Sequence, residues 1–239
     1  MSSGLYNALS GAKARMQILD ITANNLANTN TVGFKADRTS FETMLKGAGD
    51  PTATKQRTFT TLSRTVADQS QGTIQNSGVS LDLAIGGPGF FRIQGPSGES
   101  YTRHGAFRVN AEGQLVTPAG LPVLGEGGPI TLSNTAVTID QAGAITFEGA
   151  EVGRIPVYAF GPGVRLEKDT NGMFLAPDGV EPSVVERPNL IQGALEQSNV
   201  DVMKEVARMT EGLRAFEAYQ KIIKQFGELG NSDELGSVG

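Results

Sequence analysis

Ala23-Asn24-Asn25-Leu26-Ala27-Asn28-Thr29-Asn30-Thr31-Val32-Gly33-Phe34-Lys35 closes a segment whose apolar residues step by four and three. Leu5, Leu9, Ala12, Met16, Leu19, Ala23 and Leu26 form that series, which on a helix makes one narrow apolar stripe. A single stripe at a chain end needs a partner. The matching series lies at the opposite end: Val202, Val206, Met209, Leu213, Phe216 and Ile223, with Gln220 interrupting it. Between the two lies a glycine-rich stretch of short β-type runs. The pattern predicts an α+β fold, in which N- and C-terminal heptad helices pack as a coiled coil around an inserted, mainly antiparallel β domain. Such a plan suits assembly better than catalysis.

Working outward, Ser2 or Ser3 can cap the first helix. Gly11 inside it costs about 1 kcal/mol relative to alanine, and Asn24, Asn25 and Asn28 are weak helix formers because their amides compete for the backbone. Order in this helix must therefore come from packing. Gly33 is a natural stop, with Val32 and Phe34 packing where the chain leaves the helix. The asparagines have two readings at this point: a polar face with a fraying end, or amides that serve both as donors and acceptors to other molecules.

Residues 36–71 are polar, threonine-rich and weakly patterned, and read as a connector. Phe41, Met44 and Leu45 fit a short helical turn, and residues 58–62 an extended segment. Residues 72–192 hold most of the glycines and every proline except Pro51. Runs such as Leu81-Asp82-Leu83-Ala84-Ile85, Phe90-Phe91-Arg92-Ile93 and Ala144-Ile145-Thr146-Phe147 alternate with turns, among them Asn110-Ala111-Glu112-Gly113 with glycine at the left-handed position. Residues 113–120 are faintly echoed by residues 172–179, which reads as a reused hairpin. Residues 193–239 carry the last helix, capped at Ser198 or Asn199 with Asp201 three residues after Ser198. It is expected to end near Gly227 or Gly230, leaving a loose polar tail.

The bulk properties bound the function. At 239 residues the chain can bury a sizeable core. A net charge of −5, with no long basic run, argues against a nucleic-acid partner. The absence of cysteine excludes disulfides and thiolate metal sites. Lys13, Arg15, Gln17 and Asp20 interrupt the N-terminal segment, so it lacks the form of a cleaved secretory signal, and no run approaches the ~18 apolar residues of a membrane helix.

The run Asn-Asn-Leu-Ala-Asn-x-x-Thr-x-Gly-Phe-Lys resembles the N-terminal signature of bacterial flagellar rod and hook proteins. Tyr101-Thr102-Arg103-His104-Gly105 and Gly193-Ala194-Leu195-Glu196-Gln197-Ser198-Asn199-Val200 are similar to that family's other landmarks, and the three fall in family order. The resemblance implies a structural subunit of the basal-body rod, the axial shaft crossing the periplasm. It implies polymerisation through the terminal helices, which would form the inner wall of a tube with the β domain outside. The implied partners are other proximal and distal rod subunits and the flagellar type III export apparatus, which reads an uncleaved N-terminus. Contact of the β domain with peptidoglycan or ring proteins stays open. The stretches at residues 122–130 and 214–217 look like the proximal class, with the distal class as runner-up. With the resemblance, the asparagines read as contacts to neighbouring subunits. The expected assembly interface is then Leu5, Leu9, Met16, Leu19, Asn24, Asn25, Leu26, Asn28 and Phe34, with Ser198, Asn199, Val202, Val206, Met209, Leu213, Phe216 and Ile223.

No catalytic, metal or cofactor site is expected. His104 is the sole histidine and sits in a turn-like context, without the Gly-x-Ser-x-Gly elbow of a hydrolase. Gly86-Gly87-Pro88-Gly89 lacks the Lys-Ser/Thr of a phosphate loop, and Pro88 removes a donor such a loop needs. The alternative from another class is a monomeric carbohydrate-binding or hydrolytic β domain with helical tails, which would need convergent carboxylates in a cleft.

Overall fold

The computed structural model describes residues 2–46, 57–96, 98–161, 163–169 and 172–235. Helix α1 spans Ser2–Ala27 and helix α2 Val202–Leu235. Strands β1 (Asp37–Lys46) and β2 (Arg57–Ala67) pair in a two-stranded sheet. The remaining strands are short, and all their named pairings are antiparallel. The chain divides into a helix unit, made of α1, β1, most of β2 and α2, and a β unit made of Asn28–Ala36 and Ala67–Val200.

Three expectations about local structure are corrected. Phe41, Met44 and Leu45 lie in β1, not on a helical turn: the threonines and Phe41 around them favour a pleated backbone. Helix α2 is capped by Asp201, not by Ser198 or Asn199. The Asp201 carboxylate accepts from the Lys204 N–H at 3.2 Å, and its carbonyl accepts the first helical bond, from Glu205, at 3.0 Å. The helix also runs through Gly227 and Gly230 to Leu235, since a helical glycine weakens a helix by about 1 kcal/mol without having to end it. Residues 236–239 of the expected tail lie outside the described residues.

Within the helix unit, α1 and α2 run alongside each other in opposite directions. Gly4 faces Phe226, Gly11 faces Tyr219 and Leu19 faces Gly212. A Cβ on Gly11 would stand 2.6 Å from the Tyr219 ring, and one on Gly212 would stand 2.9 Å from the Leu19 side chain. Glycine is thus required where a large side chain from the opposite helix presses against the backbone.

The contact face takes in only part of the series read from the sequence: Ala12 is buried and Leu19 packs on Gly212. Ala8, Ala12, Thr22 and Asn25 are buried on α1, and Glu205 and Gly212 on α2. Leu5, Leu9, Met16, Val202, Val206 and Leu213 stay exposed. At Gly4, Ala8 and Gly212 the contact lies one residue, or about 100°, round from exposed Leu5, Leu9 and Leu213, because glycine and alanine allow closer backbone approach than leucine.

The β unit is built on one repeated turn. At Asn110, Asp140 and Asp169 the side-chain oxygen accepts a backbone N–H four residues on, each at 2.8 Å. The glycine three residues on (Gly113, Gly143 and Gly172) sits at φ 79°, 85° and 75°, where a Cβ would be strained. The echo between residues 113–120 and 172–179 is this turn used twice, each time leading into a short strand, Leu115–Val116 and Phe174–Leu175. Strand Phe91–Gly95 alternates in burial, sending Phe91 and Ile93 inward. They join Leu83, Ile85, Leu115, Ile145, Ile155 and Leu190 in the main core. A second cluster holds Phe90, Tyr101, Tyr158, Leu166 and Phe174, with Tyr101 and Tyr158 ring edge to ring face and Phe90 and Phe174 tilted against each other.

These elements bring distant segments together. Strand Gly98–Thr102 lies between Phe91–Gly95 and Phe174–Leu175 and ends directly before Arg103. Strand Ala194–Glu196 pairs with Ile74–Asn76, and Leu190–Gln192 with Leu83–Ile85.

Candidate functional site

The residues expected to form the interface fall into three groups. Leu5, Leu9, Met16, Val202, Val206 and Leu213 are exposed large apolar side chains, Leu9 at 56%, Met16 at 49% and Leu213 at 46%. Exposed Tyr6, Met203 and Ile222 accompany them, and their spacing falls off the heptad series. Leu19, Leu26, Met209, Phe216 and Ile223 are half-buried, and Asn24 is exposed.

The third group is committed within the chain. The Asn25 amide donates to the Asp37 carbonyl at 2.9 Å and accepts from the Asp37 N–H at 2.8 Å, and the residue is almost wholly buried. The Asn199 oxygen accepts from the Ala36 N–H at 2.7 Å, while its amide donates to the Asp68 carbonyl at 2.8 Å. Both side chains therefore close the chain's own loops. Ser198 is half-buried and its hydroxyl accepts from the Val200 N–H. Half-buried Asn28 accepts from the Thr31 hydroxyl at 3.1 Å. Phe34 is half-buried under the Lys168 ammonium, 4.2 Å from its ring centroid.

A feature that the sequence did not disclose lies inside the β unit. Lys35, Arg103 and Glu196 are buried together, at 1%, 4% and 1% exposure. The Glu196 carboxylate accepts from the Lys35 ammonium at 2.5 Å on one oxygen and from the Arg103 guanidinium at 3.0 Å on the other. Lys35 also donates to the Ser70 carbonyl at 2.7 Å, Arg103 to the Ile85 carbonyl at 3.1 Å, and the Gly72 N–H to Glu196 at 2.8 Å. Burial lowers the affinity of both cations for their protons, while Glu196 opposes that shift. Above this cluster Gly33, at φ 68°, lies so close to the Arg103–His104 backbone that a Cβ would overlap it. The signal available in sequence was a charged residue inside each landmark motif; the pairing, across 161 residues for Lys35 and 93 for Arg103, was not visible there.

The helix unit also holds a cleft of about 290 Å³, whose lining includes Arg15, Ile18, Asp37, Glu205, Arg208 and Glu211. Its buried carboxylate, Glu205, is paired with Arg208 at 2.6 Å. His104 follows strand Gly98–Thr102 with a buried Nδ1 lacking a partner, and burial holds its imidazole below the usual range. Among the described residues no group of three or more His, Cys, Asp and Glu side chains is placed to hold a metal ion.

Comparison with known proteins accounts for all three motifs. A family described as flagella basal body rod protein matches residues 5–35. The D1 domain of the flagellar hook protein FlgE/F/G matches residues 84–147. The C-terminal segment of the flagellar basal body rod FlgEFG protein matches residues 191–231. Lys35, Arg103 and Glu196 thus come one from each matched segment. The chain is 35% identical to the flagellar basal-body rod protein FlgF of Caulobacter vibrioides, over 100% of both chains. It is 30% identical to FlgF of Escherichia coli, again over 100% of both. It is 34% identical to the flagellar basal-body rod protein FlgG of Bacillus subtilis, over 96% of this chain and 97% of that one. The chain belongs to the flagellar basal-body rod protein family, most like FlgF, and is a structural, non-enzymatic subunit of the basal body.

Proposed function

We propose that this rod subunit polymerises through one apolar edge of its helix pair, and that the pair behaves as an antiparallel coiled coil inside the assembled rod. The observation that carries this is the placement of what the pair leaves uncovered. Leu5 follows Gly4 and Leu9 follows Ala8 on α1; Val206 follows Glu205 and Leu213 follows Gly212 on α2. In an antiparallel pair, residues one step beyond the contact positions of each helix fall along the same edge. The exposed stripes of both helices therefore line one side of the pair. An apolar edge of this kind is a surface to be covered, and burying it against the next subunit is the driving force. Repeated as a head-to-tail contact, it extends into a tube instead of closing into a ring.

Membership of the family supplies the partners, other rod subunits. On the same footing we place the chain in the proximal class and take it to reach the rod by the flagellar type III export route. Neither reading rests on a contact in the structure. Crosslinking mass spectrometry on isolated basal bodies tests the proposal. Exposed Lys13 and Lys204, one on each helix, should link to neighbouring rod subunits. Links to neighbours from the β unit alone, with both helices silent, would overturn it.

A further inference from the structure

The buried charges mark the place where the chain enters and leaves the β unit. Residues 33–36 follow the turn after α1, and residues 196–200 lead into α2. They are stitched together directly: the Gly33 N–H donates to the Glu196 carbonyl at 2.7 Å, and the Ala36 N–H to the Asn199 side chain at 2.7 Å. Residue 68 joins them, its N–H donating to the Ala36 carbonyl at 2.8 Å. Beneath this seam lie the two cations and the one carboxylate that receives both.

The arithmetic of charge is lopsided. Without Glu196, Lys35 and Arg103 would stand buried with backbone carbonyls as acceptors and only the weaker attraction of Asp68 on Lys35 to oppose them, and burying two cations so poorly compensated is strongly unfavourable. The carboxylate also arrives late, 161 residues after Lys35 and 93 after Arg103. A chain made from its N-terminus presents both cations long before the group that lets them be buried.

We propose that Glu196 is a closure lock, which keeps the junction at residues 33–36 and 68–72 open until the C-terminal segment has joined the β unit. The core around Leu115, Ile145 and Ile155 does not depend on it. The lock makes alignment of the two segments that lead to α1 and α2 conditional on a complete chain.

The test uses the full chain and amide hydrogen exchange read residue by residue. In Glu196→Gln, the amides of Gly33, Ala36 and Asp68 should exchange at least roughly tenfold faster than in the parent chain. None of these amides bonds to the altered side chain itself. The core amides of Leu115, Ile155 and Tyr158, which donate to Ile130, Gly143 and Phe90, should keep their protection. The triple variant Lys35→Met, Arg103→Met, Glu196→Met removes every charge together, and junction protection should return, since an apolar replacement of a buried ion cluster carries no unpaired charge. Unchanged exchange at the junction in Glu196→Gln would overturn the lock. So would equal acceleration at Ile155 and Tyr158, which would make Glu196 a part of general stability. A triple variant whose junction stays open would show that the hydrogen-bond geometry, and not the charge balance, holds it shut.

Discussion

Replacing Leu9 by Asp separates assembly from folding. Leu9 is 56% exposed on α1, so the isolated subunit barely depends on it. Fully burying a leucine side chain contributes roughly 1.5–3 kcal/mol, so covering its exposed half in a subunit contact contributes about 1 kcal/mol. A carboxylate held charged against an apolar surface costs a further ~2 kcal/mol or more. The combined loss, about 3 kcal/mol per contact, lowers the association constant on the order of 100-fold. Every added subunit must make that contact, so the concentration needed for growth rises by the same factor. Expected outcomes are a melting curve within ~0.5 kcal/mol of the parent, together with loss of motility and of completed hooks. Lys13→Asp, on an exposed polar position of the same helix, should act far more weakly. Leu19→Asp is a less clean probe, because Leu19 also packs on Gly212 within the subunit. A Leu9→Asp strain that swims normally would refute the reasoning, as would a purified variant whose helices melt.

Further outcomes concern the two units separately. Gly11→Ala should destabilise the helix pair: the helical gain of about 1 kcal/mol is outweighed by the clash with Tyr219, at roughly 1–3 kcal/mol. In a Tyr219→Ala background the same change should become stabilising, as read by helix melting. Phe91→Ala, at a fully buried ring stacked edge-on against Phe107, should cost about 3–5 kcal/mol of β-unit stability in urea titration. His104 is held below its ordinary 6.5 by burial, with Asp82 opposing. Its contribution is therefore whole above 6.5 and is lost as pH falls through the lower folded value, because the unfolded chain binds the proton more readily. His104→Asn should shift the acid unfolding midpoint to lower pH, and a midpoint that moves upward would contradict this.

The heptad spacing of Leu5 to Leu26 and of Val202 to Ile223 was enough to place a helix at each end of the chain. The turn at Asn110 and Gly113 was legible too, because an Asx side chain three residues before a glycine sets its own geometry. The face on which the helices meet was legible only in part, at Ala12 and Leu19. Apolar periodicity marks the stripe with most to gain from burial, whereas Gly4, Gly11 and Gly212 mark where backbones can approach, and the closer approach decided the pairing. Leu5, Leu9, Val206 and Leu213 of the apolar stripes stay exposed. Strand β2 was read in part, as the extended segment at residues 58–62, whereas β1 and its pairing with β2 escaped notice because threonine-rich sequence carries little apolar alternation. The loops that Asn25 and Asn199 close, at Asp37 and Ala36, were not legible, because the backbone groups they bond lie 12 and 163 residues away in sequence. Lys35, Arg103 and Glu196 could not be grouped from the sequence, since nothing local signals a partner so far along the chain.

Thiol labelling tests the central claim most directly, because the chain contains no cysteine of its own. Single cysteines at Leu9 and Leu213 should react rapidly with a maleimide in the free subunit, where both positions are exposed. In isolated basal bodies they should be protected, while a cysteine at exposed Val152 of the β unit serves as the reference for reagent access. Protection at both helix positions, with Val152 still labelled, is the predicted result. Labelling of Leu9 and Leu213 in basal bodies as fast as in the free subunit would contradict assembly through that edge.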